Sequence, residues 1–260
     1  MEKSIFLETA NNLYEEAVSA TSYWLVIQQF RKNTDEYYDE MHCSSAFYNI
    51  IYKALLDGLF MRLSKLYDWD SRSITFRTLI NELDSIGEND LDPQVYKKYS
   101  FCGNTVQHLL TPSEECFFQK EVQDTKRILE ALGVDYHHTS VDLSLSELLL
   151  LYRKRFESIK EQGLIRNLIK QRNKIHAHND AETNFDYESV WTNYPLTDAD
   201  IRTLIDFAVE FLQCCIELLA GIYKVAEYVN INDWEASLRL VRVGKKYLDT
   251  YINDSLSENS

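Results

Sequence analysis

The chain has 260 residues, and 41 acidic residues against 27 Lys and Arg give it a formal net charge of −14. Only seven residues are glycine and three are proline, while 45% are hydrophobic, which favours an all-α fold with a sizeable core. The acidic charge argues against a protein that coats nucleic acid through a generally basic surface. Any contact with nucleic acid therefore has to come from a local patch.

The cysteines and the N-terminal sequence indicate where the protein acts. None of the five cysteines belongs to a CxxC pair, which favours reduced thiols over a disulfide or zinc framework. Residues 1–12 lack the apolar stretch of a signal peptide, and the most apolar later run, 211–225, is too short to span a bilayer. We expect a cytoplasmic protein without membrane contact, and no metal or other cofactor.

Hydrophobic periodicity predicts a series of helices in the first half of the chain. Their spans are 4–32, 44–67, 74–86, 94–110 and 111–133. A polar stretch at 32–40 separates the first two helices, and its run YYDE is expected at the surface. Residues 87–93 begin with Gly and end with Pro, and they are expected to form a loop.

Capping-box spacings mark the helix starts in the second half of the chain. The predicted helices are 144–178, with a bend at Gly163, 198–229 and 232–252. Residues 179–194 are polar and poorly periodic, so they are expected to form a loop. No linker separates these elements, and we expect a single domain over residues 1–252 followed by a polar tail at 253–260.

A strongly basic segment lies within the long predicted helix. Between residues 153 and 178, eight Lys or Arg stand against two Glu, a local balance of +6 in a chain of net charge −14. Such a patch could bind phosphates; alternatively, it is a solvated helix face paired with acidic neighbours. The eight residues are Arg153, Lys154, Arg155, Lys160, Arg166, Lys170, Arg172 and Lys174.

The end of this segment, QRNKIHAHND at residues 171–180, concentrates groups that can cleave a phosphodiester without a metal. They are an Arg, two His and a neutral amide. In a straight α-helix, positions six apart lie about 120° from each other, whereas positions four apart share a face. Spacing alone therefore favours His176 over His178 as the neighbour of Arg172. A helix that ends or bends near Ala177, or a second subunit, would make His178 equally suitable.

The same run resembles the signature of the HEPN superfamily, in which an Arg and a polar residue precede a His. It is similar to the motif R-(D/N)-K-x-x-A-H-x-D of the U-type abortive-infection (AbiU-like) branch, which this chain matches at Arg172, Asn173, Lys174, Ala177, His178 and Asp180. Two further segments resemble that branch, FMRLSKLYDWDSRSITFRTLI at residues 60–80 and NYPLTDADIRTLIDF at residues 193–207. The resemblance covers about residues 45–225.

The resemblance implies a HEPN-like antiparallel helical bundle with additional N- and C-terminal helices. It also implies a metal-independent endoribonuclease, acting as a toxin or antiphage effector in a homodimer with a composite active site. RNA is the implied substrate, and an antitoxin or another defence-complex protein is a candidate partner. The implied catalytic residues are Arg172, Asn173 and His178. The accessory candidates are His176, Lys174 and Asp180, and the candidates for RNA binding are Lys170 and Arg166.

Structural interpretations compete with these roles. His178 falls on an apolar stripe interrupted at Gln171, and it could be a buried core histidine. Arg172 could be a structural ion-pair partner of Asp180. The net charge of −14 also fits a non-catalytic helical module that binds RNA, a nucleotide or a protein in a defence complex, because a nuclease usually needs an attractive potential around its site.

Overall fold

The computed structural model of the chain describes residues 2–68, 73–87, 90, 92, 145–177, 187–222, 224 and 233–257. These residues are mainly helical and include no strand, which confirms the predicted all-α class. The predicted helices at 94–110 and 111–133, and most of the predicted loop at 87–93, lie outside the described residues. No helix in the described ranges has the length and apolar character needed to cross a bilayer.

Nine α-helices are described, together with a short 3-10 helix at Leu83–Ser85 and a π-helix at Arg172–Ala177. In chain order the α-helices are α1 (Lys3–Asn33), α2 (Tyr38–His42), α3 (Ser45–Tyr67), α4 (Phe76–Glu82), α5 (Leu145–Glu161), α6 (Leu164–Gln171), α7 (Tyr187–Asn193), α8 (Asp198–Ala220) and α9 (Asp233–Ser257).

These helices belong to two compact units. The first unit comprises Met1–Ala20 and Phe60–Val225, and the second comprises Thr21–Leu59 and Ala226–Ser260. The helices α1 and α3 contribute residues to both units. The first unit contains the basic segment and all three segments that resemble the abortive-infection branch. The expectation of one domain over residues 1–252 stays a prediction.

The core of the first unit is aromatic. Phe207 and Phe211 of α8 stack with ring centroids 5.7 Å apart, and Phe76 of α4 meets both of them edge-on at 5.8 Å. Tyr152 of α5 adds a fourth buried ring, 5.5 Å from Phe211. Each fully buried ring contributes about 1.5–3 kcal/mol relative to exposure, so this cluster holds α4, α5 and α8 together.

Tyr67 fastens the end of α3 to the same core. Its buried hydroxyl donates a hydrogen bond of 2.6 Å to the carbonyl oxygen of Leu204 in α8, and its ring meets Phe76 at 4.9 Å. A buried hydroxyl is costly unless it is hydrogen-bonded, so this bond fixes where α3 ends. The next residue, Asp68, is therefore placed by the core.

Gly163 separates α5 from α6. Its φ of +77° lies in the left-handed region that glycine adopts readily, and its carbonyl accepts the N–H of Asn167 at 2.9 Å to begin α6. The predicted bend at Gly163 is confirmed. A side chain at this position would meet only Arg166 at 3.8 Å, which is ordinary contact, so the requirement for glycine is conformational.

Helix α9 packs on α2 in the second unit. Arg242 donates to Glu40 at 2.8 Å, and its guanidinium lies 4.4 Å from the centre of the Tyr37 ring. Trp234 stacks on Phe30 of α1 with ring centroids 4.7 Å apart. Tyr37 and Glu40 are buried, so the expected surface position of the YYDE run is wrong for these two residues.

Three predicted boundaries differ from the structure. The expected loop at 179–194 contains α7, in which Val190 is buried; this helix has only seven residues and is too short to show a helical period. Helix α8 ends at Ala220 instead of residue 229, because Gly221 adopts a left-handed φ of +65°. Helix α9 continues to Ser257, beyond the predicted end at residue 252.

Candidate active site

The QRNKIHAHND run lies where α6 gives way to a π-helix. The α-helical hydrogen bonding ends at Gln171, and residues Arg172–Ala177 form a π-helix, in which each N–H bonds to the carbonyl five residues earlier. The backbone irregularity thus begins at Arg172, five positions before the expected break near Ala177. The angles of a straight α-helix do not apply to this segment, and π-turns are frequent at functional sites.

Two buried amides anchor the helix just before this transition. Asn167 donates to the carbonyl oxygen of Pro195 at 2.8 Å, and Gln171 donates to that of Tyr194 at 2.6 Å. Both side chains are buried. The interruption of the apolar stripe at Gln171 therefore has a structural cause, since this amide satisfies a carbonyl in the segment between α7 and α8.

Arg172 is held by an acidic residue from a distant part of the sequence. Its Nη2 lies 3.3 Å from Oδ2 of Asp68, which is 104 residues away, and the two side chains are 19% and 28% exposed. Among the described residues, the buried Nε of Arg172 has no hydrogen-bond partner. An ion pair of this exposure contributes about 1 kcal/mol or less, so its main effect is to orient the guanidinium.

The three resembling segments therefore meet around the start of the π-helix. Asp68 comes from residues 60–80, Arg172 from residues 171–180, and Tyr194 from residues 193–207. Helix α7 also lies against the π-helix. Asp180, the partner considered for Arg172 from the sequence, lies outside the described residues. Asp68 belongs to a segment singled out from the sequence, residues 60–80, but no pattern in the sequence pairs it with Arg172.

The structure describes some of the remaining candidate residues of the motif and not others. Asn173 and Lys174 are half-buried on the π-helix. The backbone of His176 belongs to the same element, but its side chain is outside the described part of the chain. His178 and Asp180 are outside it altogether. The proximity of a histidine to Arg172 therefore stays a prediction.

The basic segment divides into structural and exposed residues. Arg155 is buried, with Nη1 2.8 Å from Glu210 and its guanidinium over the ring of Phe207, and Lys160 pairs with Glu157 at 3.0 Å. The ion pairs of these two residues agree with the alternative interpretation, a basic helix paired with acidic neighbours. Arg166 and Lys170 are exposed and four positions apart on α6, so they share one helix face.

A groove of about 370 Å³ lies beside Asp68. Glu16 in its wall binds Arg62 at 2.7 Å and Lys65 at 3.0 Å. Burial acts to raise the pKa of Glu16, but the hydrogen bonds from these two bases outweigh it and lower that pKa. The carboxylate therefore stays ionised near neutral pH. The lining residues are Thr9, Asn12, Leu13, Glu16, Lys65, Asp68, Ser73 and Ile74.

The side chains that commonly bind metal ions do not cluster in the described ranges. No three His, Cys, Asp or Glu residues there lie close enough together to hold a metal ion. The groups that the structure does bring together are a guanidinium, a carboxylate and an amide, with two exposed bases on the preceding helix.

A comparison with protein families assigns this all-α chain to a known class. A family model described as HEPN_AbiU2, AbiU2, matches residues 3–236. The chain belongs to the AbiU2 family of HEPN proteins. The match extends well beyond the predicted range of 45–225 and includes all of α1. Membership of this abortive-infection family indicates a role in defence, while no curated protein and no solved structure matches the chain.

Proposed function

We propose that the protein is a metal-independent endoribonuclease that acts as a toxin or antiphage effector in the cytoplasm. The observation that carries this proposal is the position of Arg172. It stands at the start of a π-helix, partly exposed, with its guanidinium oriented by Asp68. A guanidinium fixed in this way can stabilise charge that develops on a phosphate.

The proposed reaction is attack by the ribose 2′-oxygen on the adjacent phosphorus. The bond from phosphorus to the 5′-oxygen breaks, which leaves a 2′,3′-cyclic phosphate and a 5′-hydroxyl. His178, as a neutral imidazole, takes the proton from the 2′-hydroxyl, and the leaving 5′-oxygen takes a proton from solvent water. Arg172 neutralises the phosphate oxygens, and Asn173 orients the phosphate or the histidine. Asp180 caps or orients the motif.

Exposed bases on α6 provide the path for RNA to this site. Arg166 and Lys170 lie on one exposed face of the helix that leads to Arg172, and Lys174 follows on the π-helix. Phosphate contacts supply most of the affinity of proteins for nucleic acid. These local charges would therefore offset the repulsion from a chain of net charge −14.

The proposed enzyme is a homodimer in which each subunit contributes a motif to a composite site. Asp68 already accepts a hydrogen bond from Nη2 of Arg172 within the subunit, which leaves Nη1 of the guanidinium to donate to a phosphate. A histidine from the partner subunit would then approach the phosphate from the opposite side. An antitoxin or another defence-complex protein would hold this activity in check until it is needed.

The test is cleavage of RNA by the full chain in EDTA. Wild type should produce fragments whose 5′-hydroxyls are labelled by polynucleotide kinase without phosphatase treatment. Arg172→Ala and His178→Ala should each lose about 10²–10³-fold in rate, as expected for the loss of one charge-stabilising or proton-transferring group. Lys154→Ala is the matched control, because Lys154 is exposed on α5 outside the motif.

Three outcomes would contradict parts of the proposal. Equal cleavage by wild type and both variants would identify a contaminating nuclease. A loss of activity in His176→Ala but not in His178→Ala would transfer the proton-transfer role to His176. Salt-dependent RNA binding without cleavage would favour a non-catalytic binding module, the function that the acidic charge of the chain supports.

A further inference from the structure

Helix α9 presents different chemistry on its two sides. On the side that faces α2, Leu238 is buried and Arg242 binds Glu40. On the other side, large apolar residues are 58–73% exposed. They are Leu240, Val243, Tyr247, Leu248 and Tyr251. The family match ends at residue 236, so this exposed set, here called the α9 stripe, lies beyond the part of the chain that defines the family.

The spacing of the α9 stripe is that of one helix face. Leu240, Val243, Tyr247 and Tyr251 recur at intervals of three or four, and Leu248 lies beside them, which brings all five onto one side of an α-helix. The charged residues in the same span line a cavity next to α2 instead; they are Arg242, Lys245, Lys246 and Asp249. The α9 stripe is therefore uncharged from Leu240 to Tyr251, and contiguous exposed apolar surface of this kind marks an interaction site.

We propose that the α9 stripe pairs with the same stripe of a second copy of this chain. Two identical uncharged faces can meet without contact between like charges, although the whole chain carries −14. Because a tyrosine can bury roughly 150–250 Å², two tyrosines and three aliphatic residues offer on the order of 500 Å² per copy. The pair would then bury about 1,000 Å² in total, where specific protein interfaces begin.

Gly244 lies in the middle of the α9 stripe and supports self-pairing. A side chain at this position would meet nothing within 4 Å in its own chain, so packing inside the protomer does not require glycine there. Glycine in a helix interior is unfavourable relative to alanine, but it allows two backbones to approach closely. An antiparallel pair crossing at Gly244 would place Leu240 level with the partner's Leu248.

Analytical ultracentrifugation of the full chain tests this pairing. An interface of this size is expected to dissociate near micromolar concentrations, so wild type should change its oligomeric state between about 1 µM and about 100 µM. Leu240→Glu and Tyr247→Glu should each weaken the association at least tenfold. Lys246→Glu changes the charge of the helix more but lies off the α9 stripe, and it should leave the association unchanged.

Gly244→Leu provides a third stripe variant, which adds no charge. Since the protomer has room for a side chain there, the variant should keep or raise the melting temperature while it weakens the association. A wild-type chain that stays monomeric at the highest concentration would overturn the proposal and assign the α9 stripe to another protein. An oligomer that persists in all three stripe variants, or that Lys246→Glu dissociates equally, would also overturn it.

The pairing does not depend on the proposed nuclease activity. If the motifs form a composite site through another surface, loss of the α9 contact would halve the number of subunits in the assembly, for example from a tetramer to a dimer. Cleavage of RNA would then persist. A failure of RNA cleavage in wild type would leave the centrifugation result unaffected. The two proposals can thus fail separately.

Discussion

At the level of single residues, the guanidinium of Arg172 has to bind two different groups. Asp68 binds one nitrogen of its guanidinium within the folded chain, and the proposed reaction requires the same group to meet a phosphate. A long arginine side chain loses much rotamer freedom when it is fixed. If Asp68 fixes it before the substrate arrives, binding energy is not spent on ordering the guanidinium during the reaction.

Asp68→Asn should therefore lower the rate of RNA cleavage. The amide has the same shape as the carboxylate but no charge, so Arg172 stays cationic while its orientation is lost. We expect kcat to fall about 10–100-fold with little change in KM, the size of effect produced by misplacing a catalytic group. Steady-state kinetics on a fluorescent RNA would separate the two constants.

Glu16→Gln is the matched control for this substitution. Glu16 lines the same groove as Asp68, but it pairs with Arg62 and Lys65 instead of Arg172. Its variant should keep kcat near that of wild type. If Asp68→Asn were more active than wild type, the ion pair would be withholding Arg172 from the phosphate, and the positioning role would be wrong.

The chemistry of Arg172 could be predicted from the sequence, but its surroundings could not. An Arg and a polar residue before a His match the HEPN signature, and cleavage of a phosphodiester by these residues stays a prediction. The contact with Asp68 joins residues 104 positions apart, and no local pattern encodes a pairing over that distance. The hydrogen bond of Gln171 to Tyr194 is hidden for the same reason, and the sequence showed only that a polar residue interrupted an apolar stripe.

At the level of helices, glycine residues mark two of the places where an α-helix is interrupted or ends. Gly163 was recognised as a bend because it lies within a long periodic segment, and its left-handed φ of +77° explains the break. Gly221 has a similar conformation, but apolar residues after it continue the helical pattern, so the end of α8 was predicted too late. The π-helix at Arg172–Ala177 has no signature of its own, since its side chains differ little in type from those of an α-helix.

Helix α8 contains an acidic residue on its buried face, which makes its stability dependent on pH. Burial raises the pKa of Asp206 to about 6, although Arg202 opposes this with contacts of 2.7 and 2.8 Å to the two carboxylate oxygens. In the unfolded chain the pKa is about 3.9. The folded state therefore binds the proton more tightly, and the free energy of unfolding associated with this group increases as the pH falls from about 7 to about 4.

Comparison with Asp206→Asn isolates this contribution. Other carboxylates, such as Glu16 and Glu40, have lowered pKa values and change stability in the opposite direction, but they are common to both proteins. The free energy of unfolding of wild type minus that of the variant should increase by about 2–3 kcal/mol between pH 7 and pH 4. Urea titrations at several pH values measure it. A difference that is constant with pH would mean that Arg202 fully offsets the effect of burial, so that the pKa of Asp206 is the same in the folded and unfolded chain.

At the level of the whole molecule, the charge and the candidate site oppose each other. The chain carries −14, whereas Arg166 and Lys170 form an exposed basic face beside the motif. The Debye length falls from about 30 Å at 0.01 M salt to about 10 Å at 0.1 M. Low salt therefore lets the distant acidic surface repel RNA, while moderate salt screens that repulsion and leaves short-range phosphate contacts largely intact.

The proposed nuclease should therefore have an unusual dependence on salt. We expect KM for RNA to fall as monovalent salt rises from about 10 mM to about 100 mM, and to rise above that range as the phosphate contacts weaken. Replacing Arg166 and Lys170 with Gln should raise KM throughout and flatten the rise at high salt, because fewer contacts then release counterions. A KM that rises steadily from the lowest salt concentration would show that the local basic face already dominates at long range, and that the acidic surface does not govern the approach of RNA.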